Sequence, residues 1–306
     1  MMGAPLWSPS FSGGEPVVSY SQNAEDVRLW RVFRTVENGF YVDVGAADPY
    51  VDSVTQLFYE HGWSGINVEP SPCFQALNEA RNRDVNLWIA IGESEGSVPF
   101  FLTYPYLGLS TFDLSAHEHV PEAIERIEEI TVPQRRLESV LREHAAGRTI
   151  HFLKVDAEGA EAQVLASSDW SVFRPIIVVV EAIESWATRP THQNWEKILL
   201  DAGYRFATFD GINRFYVDGN HEHLIPVIAY PVSALDRLVP APVRDLEARS
   251  NEMLASLEEK TTECENLRQL LDDSSQSRTR QARRRIATAA SRARVAGGRL
   301  RELWFG

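Results

Sequence analysis

Cysteine is scarce in this chain of 306 residues, and long hydrophobic runs are absent. Two cysteines, Cys73 and Cys264, are too few for a disulfide framework or a cysteine-rich zinc site, and they suit a reducing compartment. The longest strongly apolar run, from Ile176 to Val180, is far too short to span a bilayer. The first residues also lack the basic and apolar regions of a secretory signal, so we expect a cytoplasmic protein.

Positive charge is concentrated in one segment. The formal net charge is −13, yet the segment from Arg278 to Arg301 holds nine arginines and no acid, so the rest of the chain carries −22. An acidic body argues against nucleic acid as the main ligand of the folded domain. With 44% hydrophobic and 24% charged residues, the chain as a whole has the composition of a globular protein.

Short apolar runs alternate with amphipathic stretches from about residue 21 to residue 218. The predicted strands are Phe40–Val44, Gly65–Val68, Asn86–Ala90, Ile150–Val155, Ile176–Glu181, Arg205–Phe209 and Arg214–Val217. The predicted helices are Ala24–Val36, Ser53–His61, Cys73–Asn82, Arg136–His144, Ala160–Ala166 and Asn194–Ala202. Continuous apolar strands alternating with helices predict an α/β fold with a doubly wound, Rossmann-like sheet. The Asp210-Gly211 turn predicts an antiparallel pair for the last two strands.

Composition divides the chain into five predicted segments. They are a disordered N-terminus (1–16), the α/β domain (17–238), a linker (239–243), a coiled-coil helix (244–273) and an arginine-rich amphipathic tail (274–306). The coiled-coil prediction rests on two rows with a seven-residue period, which interleave with 4,3 spacing. These rows are Leu246, Met253, Lys260 and Leu267, and Ser250, Leu257, Cys264 and Leu271. A homo-oligomer through 244–273 is expected, with a single helix folding back on the body as the alternative.

The tail carries apolar residues between its arginines and ends in Leu303-Trp304-Phe305. Arginines near an anionic bilayer and a terminal Trp-Phe pair favour docking on the inner membrane face. A basic helix that pairs with the acidic body or with a partner protein is the alternative. Gly297-Gly298 is expected to interrupt the helix.

Two predicted strands end in acids. Asp43 lies two residues before Gly45, which is expected to form a turn before a helix. Glu69 lies 26 residues after Asp43, at the end of the next strand. A glycine there lets backbone amides approach a ligand, and an acid on the second strand can accept hydrogen bonds from ribose hydroxyls. The full G-x-G-x-x-G of a dinucleotide site is missing, which weighs against NAD.

Six ordered blocks make this sequence resemble the FkbM family of S-adenosylmethionine (SAM)-dependent methyltransferases. The blocks are residues 20–26, 42–46, 62–70, 108–111, 152–161 and 213–216, and the most distinctive is L-K-V-D-A-E-G-A-E at 153–161. The resemblance implies a class I methyltransferase fold with SAM at the ends of the first two strands. It implies a cofactor site formed by Gln22, Asp26, Asp43, Gly45, Ala46, Asp48, Glu69 and Ala90. Ala46-Ala47-Asp48 replaces the second glycine of many class I enzymes, so the loop is bulkier.

A hydroxyl acceptor must lose a proton during methyl transfer, which calls for a general base or a metal ion. Asp156 and Glu181 end the fourth and fifth predicted strands, so both should reach the crevice beside the cofactor. The candidate catalytic residues are Asp156, Glu181, His192 and Glu158. Asp156, Glu181 and His192 are also the candidate ligands of Mg²⁺ or Mn²⁺. Lys154, inside an apolar strand, is expected to pair with one of these carboxylates, in a structural or a catalytic role.

Members of the family that this sequence resembles often serve polysaccharide, glycolipid or antibiotic pathways. The resemblance therefore implies an O-methyltransferase that acts on a sugar hydroxyl of a polysaccharide, glycolipid or glycosylated metabolite, and the acids at the strand ends agree with an oxygen acceptor. The alternative is a SAM-binding, non-catalytic protein that recruits glycan-building enzymes through its coiled coil.

Overall fold

The computed structural model describes residues 16–112, 122–184 and 189–302, and it divides the chain into two compact units. The first unit ends at Ala241 and the second begins at Pro242. All of the predicted disordered N-terminus except Pro16, together with Leu303-Trp304-Phe305, lies outside the described residues.

The strands are β1 (Val17–Ser19), β2 (Phe40–Val44), β3 (Ser64–Val68), β4 (Val85–Leu87), β5 (Ala90–Ile91), β6 (Gly96–Tyr104), β7 (Arg126–Arg135), β8 (Phe152–Val155), β9 (Ile177–Glu181), β10 (Tyr204–Phe209), β11 (Asn213–Asp218) and β12 (Leu238–Pro240). The α-helices are α1 (Glu25–Phe33), α2 (Gln56–Glu60), α3 (Cys73–Ala80), α4 (Leu137–His144), α5 (Glu161–Ala166), α6 (Glu196–Asp201), α7 (Ile225–Ala229) and α8 (Ala241–Glu302). Short 3-10 helices include Leu107–Leu109 and His192–Asn194.

The main sheet has the strand order β10-β11-β9-β8-β2-β3-β4. Strands β9, β8, β2, β3 and β4 are parallel, whereas β11 pairs antiparallel with both β9 and β10. The carboxyl ends of the parallel strands therefore meet at one edge, where ligands bind in open α/β sheets.

Hydrophobic cores lie on both faces of this sheet. Along β9, Val178 and Val180 belong to one core, and Ile177 and Val179 belong to the other. Helices α4, α5 and α6 contribute to the first core, and α1, α2 and α7 contribute to the second. Because alternate strand residues point to opposite faces, a strand that is covered on both sides must be apolar throughout. The predicted α/β fold is confirmed at this level, as a mixed sheet enclosed by helices.

The third predicted strand, Asn86–Ala90, is wrong in its extent. The main-sheet strand β4 ends at Leu87, and Ala90 begins β5 in a separate sheet of order β5-β7-β6. Sequence analysis missed the β6–β7 hairpin of this second sheet. Residues 105–110 and Phe112, in the loop between these two strands, line one side of the cavity described below.

The predicted linker at 239–243 contains the boundary between the two units, but it has regular secondary structure. Strand β12 pairs in parallel with β1, and α8 begins directly at Ala241, so the chain is ordered by hydrogen bonds through this region. The two prolines fit because one ends a short strand and the other occupies the first turn of a helix, where its missing N–H has no partner to lose.

The second unit is formed by α8, which runs through Gly297-Gly298 without the predicted interruption. Two glycines weaken a helix by about 1 kcal/mol each relative to alanine, which is too little to end a helix of this length. The described part of the chain contains no helix long and apolar enough to cross a membrane.

Candidate active site

A cavity of about 580 Å³ lies at the carboxyl ends of β2, β3 and β8. Loop residues after each of these strands line it, and the loop after β6 lines it as well. Seven of the eight predicted cofactor-binding residues contribute to its lining: Gln22, Asp43, Gly45, Ala46, Asp48, Glu69 and Ala90. These seven residues therefore share one cavity, and the role of each stays a prediction.

Gly45 makes the turn after β2 and lies directly against the loop after β8. Its φ is +83°, and a Cβ at this position would stand 1.7 Å from the backbone oxygen of Asp156. Both reasons require glycine, since L-residues rarely adopt this φ and no side chain could fit. The N–H groups of Gly45 and Ala46 donate to the carbonyl of Val68, which fixes the turn against β3.

Asp43, the single acid of β2, is only 3% exposed and lines the cavity. Its Oδ2 accepts a hydrogen bond of 3.3 Å from the Thr55 hydroxyl. Burial raises the pKa of Asp43 to about 6, although the cations Lys154 and Arg81 offset part of that effect. Asp43 is therefore a buried carboxylate that a cationic ligand would hold in its ionised form.

Glu69, which follows β3, connects two loops beside the cavity. Its Oε2 accepts a hydrogen bond from the N–H of Ala47 at 2.8 Å, and its Oε1 accepts one from the N–H of Ser71 at 2.7 Å. Burial raises the pKa of Glu69, and the bonds from Ser71 and Ala47 oppose this rise. Each carboxylate oxygen has a second lone pair, so Glu69 can hold the loops and still accept a bond from a ligand.

The wall beside β5 is apolar. Ile89, Ala90, Ile91, Phe100 and Leu107 contribute to it. Ala90 lies at the cavity as predicted, but it does so from the second sheet rather than from the end of a main-sheet strand. This wall suits a flat, weakly polar group such as a purine ring.

A buried polar chain runs along the other side of the cavity. Nζ of Lys154 donates to Oδ2 of Asp156 at 2.8 Å and to Oδ1 of Asn213 at 2.9 Å. Asn213 in turn donates through Nδ2 to Oε1 of Glu25 at 2.7 Å. Burial alone would lower the pKa of Lys154, but Asp156 and Glu25 outweigh burial and raise it. Lys154 therefore stays charged, and the predicted pairing with a carboxylate is confirmed.

The three predicted catalytic acids come together, although only Asp156 and Glu158 are among the described residues that line the cavity. Asp156, Glu158 and Glu181 each offer a carboxylate oxygen within 4.8 Å of the others. Burial raises the pKa of Glu181 well above its ordinary value, and the neighbouring charges of Asp156 and Glu158 add to the rise. Such crowding favours either a shared proton or a divalent cation.

Glu161 organises the loop that carries these acids. Its Oε1 accepts hydrogen bonds from the N–H groups of Ala157 and Gly159, at 3.0 and 3.1 Å. Glu158 has a positive φ of 48° in the same loop, and its carbonyl accepts a 2.8 Å bond from the Thr111 hydroxyl. The loop after β8 is thereby tied to the loop after β6, across the cavity.

Two predicted site residues are corrected by the structure. Asp26 is fully buried, and its carboxylate accepts bonds of 2.7 Å from the Ser19 hydroxyl, the Tyr20 N–H and the Ser21 hydroxyl. It is not among the described residues that line the cavity, because these bonds commit it to holding the segment before α1.

His192 is the second correction. After β9 the chain returns through a bridge between Ile183 and Pro190, and the N–H of Thr191 donates to Ala182. This places Pro190 and Thr191 at the strand end, and His192 begins a 3-10 helix instead. Within the described ranges, His192 is part of neither the cavity lining nor the acidic trio.

Sequence reasoning also missed residues that line the cavity. These include Glu25, Asp52, Tyr106 and Ser110. Glu25 and Asp26 are adjacent acids in the first turn of α1, so the sequence could not tell which of them faces the cavity. Tyr106 lies in the loop after β6, and that strand had no clear sequence signal.

Comparison with known proteins identifies a family that covers most of this site. The chain matches the family model described as the methyltransferase FkbM domain over residues 43–206. Among solved structures it is similar to a TehB-like SAM-dependent methyltransferase from Corynebacterium glutamicum, with 8% identity and a TM-score of 0.33. That similarity covers 63% of this chain and 87% of the other. No curated protein matches this chain.

Proposed function

The chain belongs to the FkbM methyltransferase family, since the domain match covers more than half of its residues, and we propose that it transfers the methyl group of SAM to a hydroxyl of a sugar-containing acceptor. The family establishes SAM-dependent methyl transfer as the activity class. The oxygen acceptor, its sugar nature and the residue roles below are the proposal.

The cavity fits SAM in size and in chemistry. Its volume of about 580 Å³ lies within the range of about 300–1,000 Å³ typical of small-molecule sites. Asp43 offers a buried carboxylate for a cationic group, and Glu69 offers acceptors for ribose hydroxyls. The apolar wall at Ile89 to Ile91 suits adenine. When bound, SAM supplies an electrophilic methyl group, and the protein's task is to align an acceptor with it.

The acids at the cavity edge support an oxygen acceptor. A sugar hydroxyl holds its proton at pH 7, so its attack requires a base or a metal ion. Asp156 is well placed to act as the general base, because its side chain is 32% exposed at the cavity whereas its partner Lys154 is buried. The trio of Asp156, Glu158 and Glu181 has the carboxylate ligands that a metal ion such as Mg²⁺ or Mn²⁺ would need.

A sugar acceptor is supported by the cavity rim. Tyr106 lines the cavity and is 46% exposed, and Val51 lines it and is 64% exposed. An aromatic ring with one apolar face and one polar end suits the apolar face of a pyranose, whose hydroxyls then point sideways toward polar groups. The resemblance described above also favours glycans as acceptors.

The observation that carries the proposal is the position of the acidic trio beside the cavity that holds Asp43 and Glu69. The test is methyl transfer from isotopically labelled SAM to a panel of glycans, lipid-linked sugars and glycosylated metabolites, with mass spectrometry of the products. Labelled O-methyl sugar that disappears with Asp156→Asn is the expected result. SAM binding without transfer to any acceptor would support the non-catalytic alternative, and labelled nitrogen or carbon would overturn the oxygen acceptor.

A further inference from the structure

Helix α8 presents an unusually long exposed surface. It runs for 62 residues, which is about 93 Å at the rise of an α-helix. Every residue from Asp245 to Arg292 is exposed. Large apolar side chains among them are 53–69% exposed: Leu246, Met253, Leu254, Leu257, Leu267, Leu270, Leu271 and Ile286. Long helices are stabilised mainly by packing of an apolar face, so we expect this exposed surface to pack against a partner.

The helix carries two apolar seams rather than one. The first is the 4,3 row from Leu246 to Leu271. A second row with heptad spacing runs through Thr279, Ala282, Ile286 and Ala289. The first row contains four leucines and a methionine, whereas the second consists of two alanines, a threonine and an isoleucine, so the seam of the second half carries smaller side chains on average.

Charge divides the same two halves. Residues 244–273 hold nine acids and four bases, a net charge of −5, whereas residues 278–301 hold nine arginines and no acid. Two such helices in parallel would place arginines against arginines and acids against acids. The antiparallel arrangement places the acidic half of each helix against the basic half of the other, which is the favourable orientation.

The seams coincide in that orientation. If two copies cross with their two-fold axis at Asp273, then Leu257 lies opposite Ala289, Cys264 lies opposite Ala282, and Leu267 lies opposite Thr279. At these three positions a larger seam residue meets a smaller one, as close packing of two helices requires. Lys260 then lies opposite Ile286, where its aliphatic stem can pack and its charge can reach the neighbouring acids.

We propose that α8 pairs with a second copy of this chain as an antiparallel two-stranded coiled coil centred on Asp273. Two observations favour a second copy of this chain as the partner of α8: the two halves of the helix have complementary charge, and their seams coincide. The interface buries the apolar rows of both halves. Because the dimer has a two-fold axis, the contact between an acidic half and a basic half occurs twice.

Disulfide trapping in the full-length chain tests both the orientation and the register. Ala282→Cys brings a thiol opposite Cys264 of the other copy, so mild oxidation should convert most of this variant into a covalent dimer. Ala282→Cys combined with Cys264→Ser should stay uncrosslinked, because two residues at 282 are separated by about 27 Å along the coil. The parent chain should also stay uncrosslinked. Covalent dimer formed by the parent through Cys264 would show a parallel coil and overturn the proposal.

Sedimentation equilibrium tests the association itself. The parent should have twice the chain mass of 34.5 kDa, and added salt should weaken the dimer because the two halves attract each other by charge. Leu257→Lys should weaken dimerisation about tenfold or more, since it buries an unpaired charge in the seam. Ala255→Lys, on the outer face two residues away, should leave the dimer unchanged. Circular dichroism checks that both variants stay helical.

Liposome flotation distinguishes this dimer from the competing hypothesis, in which the arginine-rich segment binds an anionic membrane. A parent chain that is monomeric in solution and floats with phosphatidylserine vesicles would assign the arginine-rich segment to a membrane and overturn the proposal. A parent chain that is monomeric and does not float would overturn it as well. Dimeric protein with the disulfide pattern described above supports the proposal whether or not vesicles bind.

Discussion

The ammonium of Lys154 lies 2.8 Å from Oδ2 of Asp156, and both residues line the cavity, with the lysine the more deeply buried of the two. The side chain of Lys154 is 5% exposed, whereas that of Asp156 is 32% exposed. Lys154 also binds Asn213, which binds Glu25, so strands β8 and β11 and helix α1 are joined through one buried cation. The lysine thereby holds the orientation of Asp156 at the edge of the cavity.

Lys154→Met is expected to lower the free energy of unfolding by about 2–3 kcal/mol, the low end for a broken buried pair, because Asp156 keeps partial contact with water. Lys197→Met is the matched control. Lys197 pairs with Asp201 at 2.6 Å, but both side chains are well exposed, so the loss should be below about 0.5 kcal/mol. Urea denaturation measures both values. Equal effects for the two substitutions would show that burial of the Lys154 pair contributes nothing.

SAM binding is expected to depend on pH through Asp43. The pKa of this carboxyl is raised to about 6 by burial, and a cationic ligand requires the ionised form. Affinity for SAM should therefore fall as the pH drops below 6, by up to about tenfold per pH unit, and should level off above 7. Asp43→Asn should bind SAM weakly and with no such dependence. Isothermal titration calorimetry between pH 5 and pH 8 measures both.

The same carboxyl affects the stability of the ligand-free protein with the opposite sign. An ordinary Asp in the unfolded chain has a pKa of about 3.9, so between about pH 4 and 6 the folded state keeps a proton that the unfolded state has lost. The contribution of Asp43 to stability should therefore decrease as the pH rises through this window, and Asp43→Asn should remove the decrease. Parent and variant with parallel stability profiles, and flat SAM affinity in the parent, would contradict an ionised Asp43 in the cofactor site.

Gly45→Ala is expected to damage both the fold and the cofactor site. The new Cβ would overlap the backbone oxygen of Asp156, and the positive φ of the residue would be strained, so the free energy of unfolding should fall by about 2 kcal/mol. SAM binding should weaken as the loop moves. Gly108→Ala is the control in the same cavity, since a Cβ at that position would have nothing within 4 Å and the change should be below about 0.5 kcal/mol. Similar stability for the two variants would contradict the close approach at Gly45.

The sequence predicted the main sheet well because its central strands carry a strong signal. Strands such as β2 and β9 are enclosed by a core on each face, so the residues in them are apolar except for Asp43 and Glu181 near the carboxyl ends. The acids Asp43, Glu69 and Asp156 then follow from the rule that parallel strands present their carboxyl ends at one edge. This physical regularity explains why these three acids line one cavity, whereas Gln22 and Ala90 reach it from outside the parallel strand ends.

The second sheet gave no such signal. Strand β7 has the sequence RIEEITVPQR, in which half-exposed residues and charges hide the alternation, and β6 contains a proline. Strand β1 pairs with β12, more than 200 residues away, and no local pattern reports such a partner. The failures at Asp26 and His192 are similar, because hydrogen bonds and a chain reversal decide their positions rather than residue type.

The acidic trio offers the last prediction, which separates a general base from a metal site. Asp156→Asn should reduce turnover by about 100-fold or more, in the range of a lost general base, while the affinity for SAM changes little. If Asp156 acts alone, Glu158→Gln and Glu181→Gln should keep most of the activity, and EDTA should have no effect.

If the trio binds a cation, the three substitutions should be similar in effect, because each removes one of the oxygens that lie within 4.8 Å of one another. EDTA should then abolish turnover, and Mg²⁺ or Mn²⁺ should restore it in the parent but not in the variants. Calorimetric titration of Mn²⁺ into the parent and into Glu181→Gln gives a readout that is independent of activity. Full turnover of the Asp156→Asn protein, with or without chelator, would contradict both devices and move the proton acceptor away from the end of β8.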